Sequence, residues 1–250
     1  MSDSGTYLYA VASESVPVDV PGVAGTPVRT LTRGALVAYV STVPLAEFGE
    51  EPLRHSLEDL DWLAETARAH HRVVEEAARV PVAPVRLVTV YADDDQVHEL
   101  LDRRGEEFLA VLFHVTGRRE WGVKAYAGQA AGPAATPVNG GDPGRPGTSY
   151  LSRRRESLRG REQARRLAVT RAEHIHASLS RLAVASRRHR AQDPRLSGHD
   201  EWMLLNGAYL VDVGRDEEFA ALVGSLGGDG VDVRLTGPWA PYSFTVLEPG

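Results

Sequence analysis

Between Gly128 and Thr148 the chain reads GQAAGPAATPVNGGDPGRPGT, and almost no large apolar side chain occurs in it. A stretch of glycine, proline, alanine and small polar residues buries too little surface to offset the entropy of ordering it. It therefore predicts a flexible linker over 128–148, with folded domains at 1–127 and 149–250. The chain of 250 residues is long enough for each to bury a core. The fold class expected is α+β in both halves.

In the first half, Thr6 to Ala12 (TYLYAVA) is rich in aromatic and β-favouring residues and predicts a strand. Val28–Leu31 and Leu36–Val43 predict a hairpin turning at Arg33-Gly34. The second arm is nearly continuous in apolar character, as a central strand would be. Leu53, Leu57, Leu60, Leu63 and Ala67 recur at three- and four-residue spacings, so a helix is expected from Leu53 to Arg79, its regular part starting at Ser56 or the acids just after it, and stopped by Pro81 and Pro84. Val85–Tyr91 reads as a strand. Asp93-Asp94-Asp95 reads as the acidic start of a helix running to about His114. Glu120–Ala127 alternates and closes the series. Two helices segregated from a mostly antiparallel sheet with one extra strand predict a ferredoxin-like domain.

The second half opens with a helical run from Tyr150 to about Gln192, ended by Asp193-Pro194. Ala168, Ala172, Ile175, Leu179 and Leu182 form a four-three-four-three seam in it, so its second half should pack most firmly. Glu201–Val213 predicts a strand, Asp216–Leu226 a short helix and Val231–Leu235 a further strand. The chain then reaches Thr236-Gly237-Pro238-Trp239-Ala240-Pro241-Tyr242-Ser243-Phe244. The prolines exclude α-helix here, and a turn at Gly237-Pro238 with an exit strand from Ser243 to Leu247 is expected. Trp239, Tyr242 and Phe244 either clasp a core or form a binding surface, and both readings stand.

Cysteine is absent, which removes disulfides, thiolate nucleophiles and cysteine-held metals. The start of the chain lacks the pattern of a signal peptide, and no apolar run approaches membrane-helix length, so a soluble, cytoplasmic chain is expected. His71 and Glu75 share a helix face, but a third ligand is missing, and an exposed ion pair is the simpler expectation. His174 and His176 flank Ile175 and point apart, so both are read as solvated. Neither a nucleophile elbow nor a phosphate loop occurs. No enzyme activity, cofactor or metal is expected.

Arginine gives the strongest rival signal. Between Arg153 and Arg190 there are 12 arginines and three glutamates, on a chain whose net charge is −6. Such a helix could neutralise phosphates, and nucleic-acid binding through 153–190 is kept as the alternative function. Without interleaved aromatic residues, a solvated helix or one docked on an acidic partner is favoured.

The C-terminal TGPWAPYSF resembles the signature of the gas vesicle GvpF/GvpL family, usually TGPWPPYSF, with Ala240 in place of the middle proline. Further similar segments follow the same order as in the family. They are TYLYAVA, Gly34–Ser41, the passage from Ala69-His70 through Pro84-Val85-Arg86, Glu120–Lys124, Tyr150-Leu151 and Asn206–Val211. Leu87 and Val88 stand where the family commonly has Phe and Gly. The resemblance implies an accessory or minor structural protein of gas vesicles, located at the vesicle in the cytoplasm. It also implies contact with the small hydrophobic shell protein, and with other accessory proteins, during nucleation and assembly. On this resemblance Trp239, Tyr242, Phe244, Arg86 and Trp121 are the candidate partner-binding residues, with neither nucleic acid nor membrane as partner.

Overall fold

The computed structural model describes residues 4–127, 148–190, 202–228 and 230–245. The expected linker lies outside the described residues except for Thr148, as do the helix stop at Asp193-Pro194 and the end of the exit strand. Among the described residues eight strands fall into two sheets, ordered β2-β3-β1-β4 and β6-β7-β5-β8. The chain forms two compact units, one of residues 1–120 with 238–250 and the other of 121–237. It leaves the first unit within β5 (Arg118–Ala127) and re-enters it within β8 (Val231–Trp239).

In the first unit β1 (Ser4–Ala12) runs antiparallel between β3 (Leu36–Pro44) and β4 (Val82–Tyr91), and β2 (Arg29–Arg33) pairs with β3 as the expected hairpin. β1 is buried almost throughout because both of its faces are covered. Tyr7, Tyr9, Ala10 and Ala12 join Val73, Val74 and Ala77 of α3 (Leu60–Ala77) in one cluster. Leu8 and Val11 meet Val97 and Leu101 of α4 (Asp94–Arg103) and Phe108 and Leu112 of α5 (Gly105–Val115) in another. Each such side chain contributes roughly 1.5–3 kcal/mol relative to exposure. The helices therefore lie on opposite faces of the sheet, where segregation had been expected. Only one split β-α-β, through α3, matches the ferredoxin-like arrangement. The expected fifth strand, β5, joins the other sheet, where Val123 and Ala125 find their core.

The expected helix Leu53–Arg79 is two pieces, the end of α2 (Glu50–Ser56) and α3, and the short α1 (Leu45–Phe48) precedes them. Asp59 explains the break, because its carboxylate accepts from the backbone N–H groups of Asp61 and Trp62 and starts a new helix. Asp93 caps α4 in the same way through Gln96, as its sequence suggests. The helix expected to follow it to His114 is divided at Arg104.

In the second unit α6 (Thr148–Leu182) lays Ala172, Ile175 and Leu179 on Leu205, Tyr209 and Val211 of β7 (Met203–Asp212). The expected seam is thus the buried face, with Leu182 at its half-buried end. The helix ends ten residues short of Gln192, because Ala185–Arg188 forms the edge strand β6. The Val184 N–H donates to Leu210 O and the His189 N–H to Asn206 O, which helix would have forbidden. α7 (Asp216–Ser225) adds Phe219 and Val223 to this core. Gly207 sits under the Tyr209 ring so closely that a Cβ there would come within 2.8 Å of it. β8 runs on through Gly237-Pro238, where a turn was expected. Gly237 takes φ 109°, and an edge strand tolerates the missing proline N–H.

Candidate functional site

After β8 the chain turns at Ala240-Pro241 into a single 3-10 turn, Tyr242–Phe244, in place of the expected exit strand. Two hydrogen-bonded anchors hold this segment in the first unit. The buried Glu120 carboxylate accepts from the Ser243 N–H at 2.7 Å and from Ser243 Oγ at 2.6 Å. Thr245 Oγ1 donates to Pro84 O at 3.0 Å. A charged acceptor makes the first anchor the stronger.

The three aromatic candidates then divide by burial. Phe244 is buried, Tyr242 packs half-buried on the Tyr7–Tyr9 cluster, and Trp239 is 43% exposed. Trp239 meets the edge of the His71 ring at 5.4 Å, and His71 and His70 lie 6.3 and 6.2 Å from the Tyr242 ring. His71 therefore packs among aromatic rings rather than forming the expected exposed pair with Glu75. His70 continues the contacts inward to Tyr9 at 5.5 Å and Tyr7 at 5.8 Å. The clasp thus caps a column of rings that reaches β1 and leaves one indole at the surface.

The polar atoms in this column explain its geometry. Tyr7 Oη accepts from the Val88 N–H at 3.0 Å and lies 3.0 Å from His70 Nδ1, to which it donates when the neutral imidazole carries its proton on Nε2. Burial, with His71 adding to it and a Val85 backbone contact opposing, lowers the His70 pKa to about 4, so the ring is neutral. Burial likewise pushes the Tyr7 hydroxyl up. Burial, then the negative charges of Glu120 and Glu75, push Tyr242 up, and its buried hydroxyl has no hydrogen-bond partner among the described residues.

Val88 is where sequence reasoning missed a feature. Ala10 pairs with Pro84 and Leu8 with Thr89, so Val85 to Val88 bulge out opposite Tyr9 alone. Val88 takes φ 60°, a left-handed conformation that a β-branched residue adopts at a cost of about 1–2 kcal/mol. The glycine common at this position in the resembled family is the residue such a backbone favours. The bulge also displays Arg86, exposed, and Leu87, 36% exposed.

Trp121, the remaining candidate, is a half-buried residue of the second unit. Its Nε1 donates to Asp216 Oδ1 at 2.8 Å and its ring lies 6.3 Å from Phe219. Of the two histidines read as solvated, His174 is exposed, while His176 bonds Tyr209 Oη at 2.8 Å through Nδ1. Several arginines of the 153–190 stretch, on α6 and β6, are engaged within the second unit. Arg165 stacks over Trp202 at 4.7 Å, Arg188 pairs with Glu173 and Arg171 donates to Leu226 O. Among the described residues no group of three His, Asp or Glu side chains could hold a metal, and no helix is long and apolar enough to cross a membrane.

Comparison with known proteins bears on this geometry. Residues 5–246 match the family model described as gas vesicle synthesis protein GvpL/GvpF. Gas vesicle protein L of Streptomyces sp. (strain CB03234) is 42% identical, over 97% of this chain and 93% of that protein. Gas vesicle protein F of the same strain is 30% identical, over 96% and 98%. The crystal structure of GvpF from Anabaena sp. PCC7120 superposes with a TM-score of 0.68 at 18% identity, covering 98% of both chains. That of GvpF from Microcystis aeruginosa gives 0.66 at 19%, covering 97% and 99%, so the α+β fold is shared. None of these matches lends support to nucleic-acid binding. With its role thereby tied to gas vesicles, the chain belongs to the GvpL/GvpF family of gas vesicle synthesis proteins.

Proposed function

We propose that this protein assists gas vesicle nucleation and assembly by binding the small hydrophobic shell protein and limiting its aggregation, and that it does so at the vesicle in the cytoplasm. Trp239 carries the reading. It is an exposed indole held in place by a hydrogen-bonded, proline-stiffened clasp, so it offers apolar area at little entropic cost. A shell subunit with an apolar face needs such a partner before it assembles. Leu87 and Arg86, on the bulge that opens just after the Thr245 anchor at Pro84, extend the same contact. Phe244 and Tyr242 support the surface from beneath, and Trp121 braces the second unit.

Capture of shell protein by the purified chain tests the proposal, with Trp239→Ala compared against wild type. Removing one anchoring indole should weaken capture at least about tenfold, as interface aromatics commonly do. Undiminished capture by a folded Trp239→Ala protein would remove the clasp as the contact. Failure of the wild-type chain to capture shell protein at all would remove the function.

A further inference from the structure

The sheet of the first unit has two edges, and they are finished differently. β4 bulges at Val85 to Val88, and Thr245 bonds to it at Pro84. Bulges and covering segments blunt a strand edge against further pairing. β2 has neither. It pairs with β3 along its whole length, Arg29 with Val40, Leu31 with Ala38 and Arg33 with Leu36, and ends the sheet on its other side. The two-residue turn after Arg33 sets the alternation. Arg29, Leu31 and Arg33 exchange hydrogen bonds with β3, while the N–H and C=O groups of Thr30 and Thr32 point away from it. Among the described residues nothing bonds to those outward groups. Both threonines are exposed, with Leu31 half-buried between them.

The strand also reads the same in both directions, Arg29-Thr30-Leu31-Thr32-Arg33. An antiparallel copy turned about an axis at Leu31 therefore sets each residue against its own kind. Facing threonines and facing leucines are favourable cross-strand neighbours, and facing arginines are not. Here, however, both arginines are already matched. Asp94 on α4 accepts from Arg29 Nη1 and Nη2 at 2.9 and 2.8 Å. Asp102, further along the same helix, accepts from Arg33 Nε and Nη2 at 2.7 Å each. With His98 between the two carboxylates in sequence, the charges on this face balance. On the opposite face a groove of about 420 Å³ opens beside Thr30, lined by Val16, Val18, Val28 and Tyr39 together with the exposed Asp19, so the 15–19 loop leaves Thr30 uncovered.

We propose that this edge is an interface between two copies of the chain, β2 of one pairing antiparallel with β2 of the other about a two-fold axis at Leu31. The two four-stranded sheets then join into one continuous sheet. Thr30 of each copy exchanges both main-chain hydrogen bonds with Thr32 of the other, and Leu31 meets Leu31. Each opposed arginine brings its own carboxylate with it, so no unpaired charge enters the seam. The self-complementary sequence selects a second copy as the occupant, because the same strand supplies threonine, leucine and threonine in the register that the edge needs. The contact is isologous, so it uses up both edges and stops at the dimer.

Sedimentation velocity and residue-resolved amide hydrogen exchange of the full chain, over a range of concentrations, test this. A monomer–dimer equilibrium that goes no further is expected, and the Thr30 and Thr32 amides should exchange at least about tenfold more slowly in the dimer. Thr30→Glu with Thr32→Glu sets like charges opposite each other, beside Asp19, and should weaken association at least about tenfold. Thr30→Lys with Thr32→Lys should weaken it as well. Mixing the two variants should restore it, since each then faces the opposite charge, and restoration also shows that both are folded. The exchange measurement on the wild type covers the case of a variant that fails to fold. The proposal is overturned by a wild-type chain that stays monomeric at the highest attainable concentration, or by association that continues past the dimer. Association untouched by the variants, or a mixture that does not recover, overturns it too. So does slowed exchange at Thr30 and Thr32 that comes only on adding shell protein, which would give the edge to that partner.

Discussion

Each unit contains the same small device, and the two copies of it are set differently. In the first, Tyr7 on β1 bonds His70 on α3; in the second, Tyr209 on β7 bonds His176 on α6. Both tyrosines are buried to 0% exposure, and burial pushes both hydroxyls up. His70 is 3% exposed, lies beneath the clasp and shares its tyrosine with the Val88 N–H. His176 is only half-buried, with Arg188 and Glu173 near it. One Tyr–His brace is therefore sealed and makes two bonds, and the other lies beside water with one. Strength follows from sealing and from the number of partners, more than from the residue types.

The largest expected contrast is in pH dependence. The folded-state pKa of His70, about 4, lies below its ordinary 6.5, so the unfolded chain binds the extra proton first. The stabilisation is complete above about pH 6.5 and is lost as pH falls toward 4, in all about 3 kcal/mol. His71, Tyr7, Tyr9 and Tyr242 pack round the His70 ring, and Glu75 and Glu120 lie near Tyr242. Urea unfolding followed by hydrogen exchange in each unit should show the slope in the first. His70→Asn should flatten it, whereas His176→Asn should leave it in place.

Hydroxyl removal comes next. Tyr7→Phe strands both the Val88 N–H and His70 Nδ1 and should destabilise the first unit by about 2 kcal/mol, against about 1 kcal/mol for Tyr209→Phe in the second. Equal losses would mean that sealing does not matter. The smallest effect belongs to Val88→Gly. It relieves about 1–2 kcal/mol of left-handed strain but gives up packing on the tyrosine cluster and frees the unfolded chain, so thermal unfolding should register a net change below about 1 kcal/mol.

What could be read from the sequence was whatever repeats locally. The seam Ala168–Leu179, the Asp93 cap and the β2–β3 hairpin each depend on neighbours a few residues away, and the structure has them. The Tyr7–His70 bond joins residues 63 apart, and the Glu120–Ser243 anchor joins residues 123 apart. Spacing carries no trace of such pairs. The end of α6 was hidden because ASRR has no apolar alternation, and an edge strand needs none where one side faces solvent. The acids just after Ser56 mark a start of regular helix in the sequence, but that Asp59 is the one capping it depends on its side chain reaching Asp61 and Trp62 N–H. Of the site, the aromatic segment was visible in advance, but which ring it would leave outside was not, because that depends on where the segment docks.

The return of residues 238–245 to the first unit has a consequence for biosynthesis. A ribosome releases the N-terminal sheet and its helices long before it makes the segment that covers Tyr7, Tyr9 and His70. Throughout translation of the intervening stretch, the nascent chain presents that aromatic column uncapped. The N-terminal body can finish folding only once the codons for residues 238–245 have been read, so a message truncated before Trp239 yields a protein whose earliest-made part is the part left open.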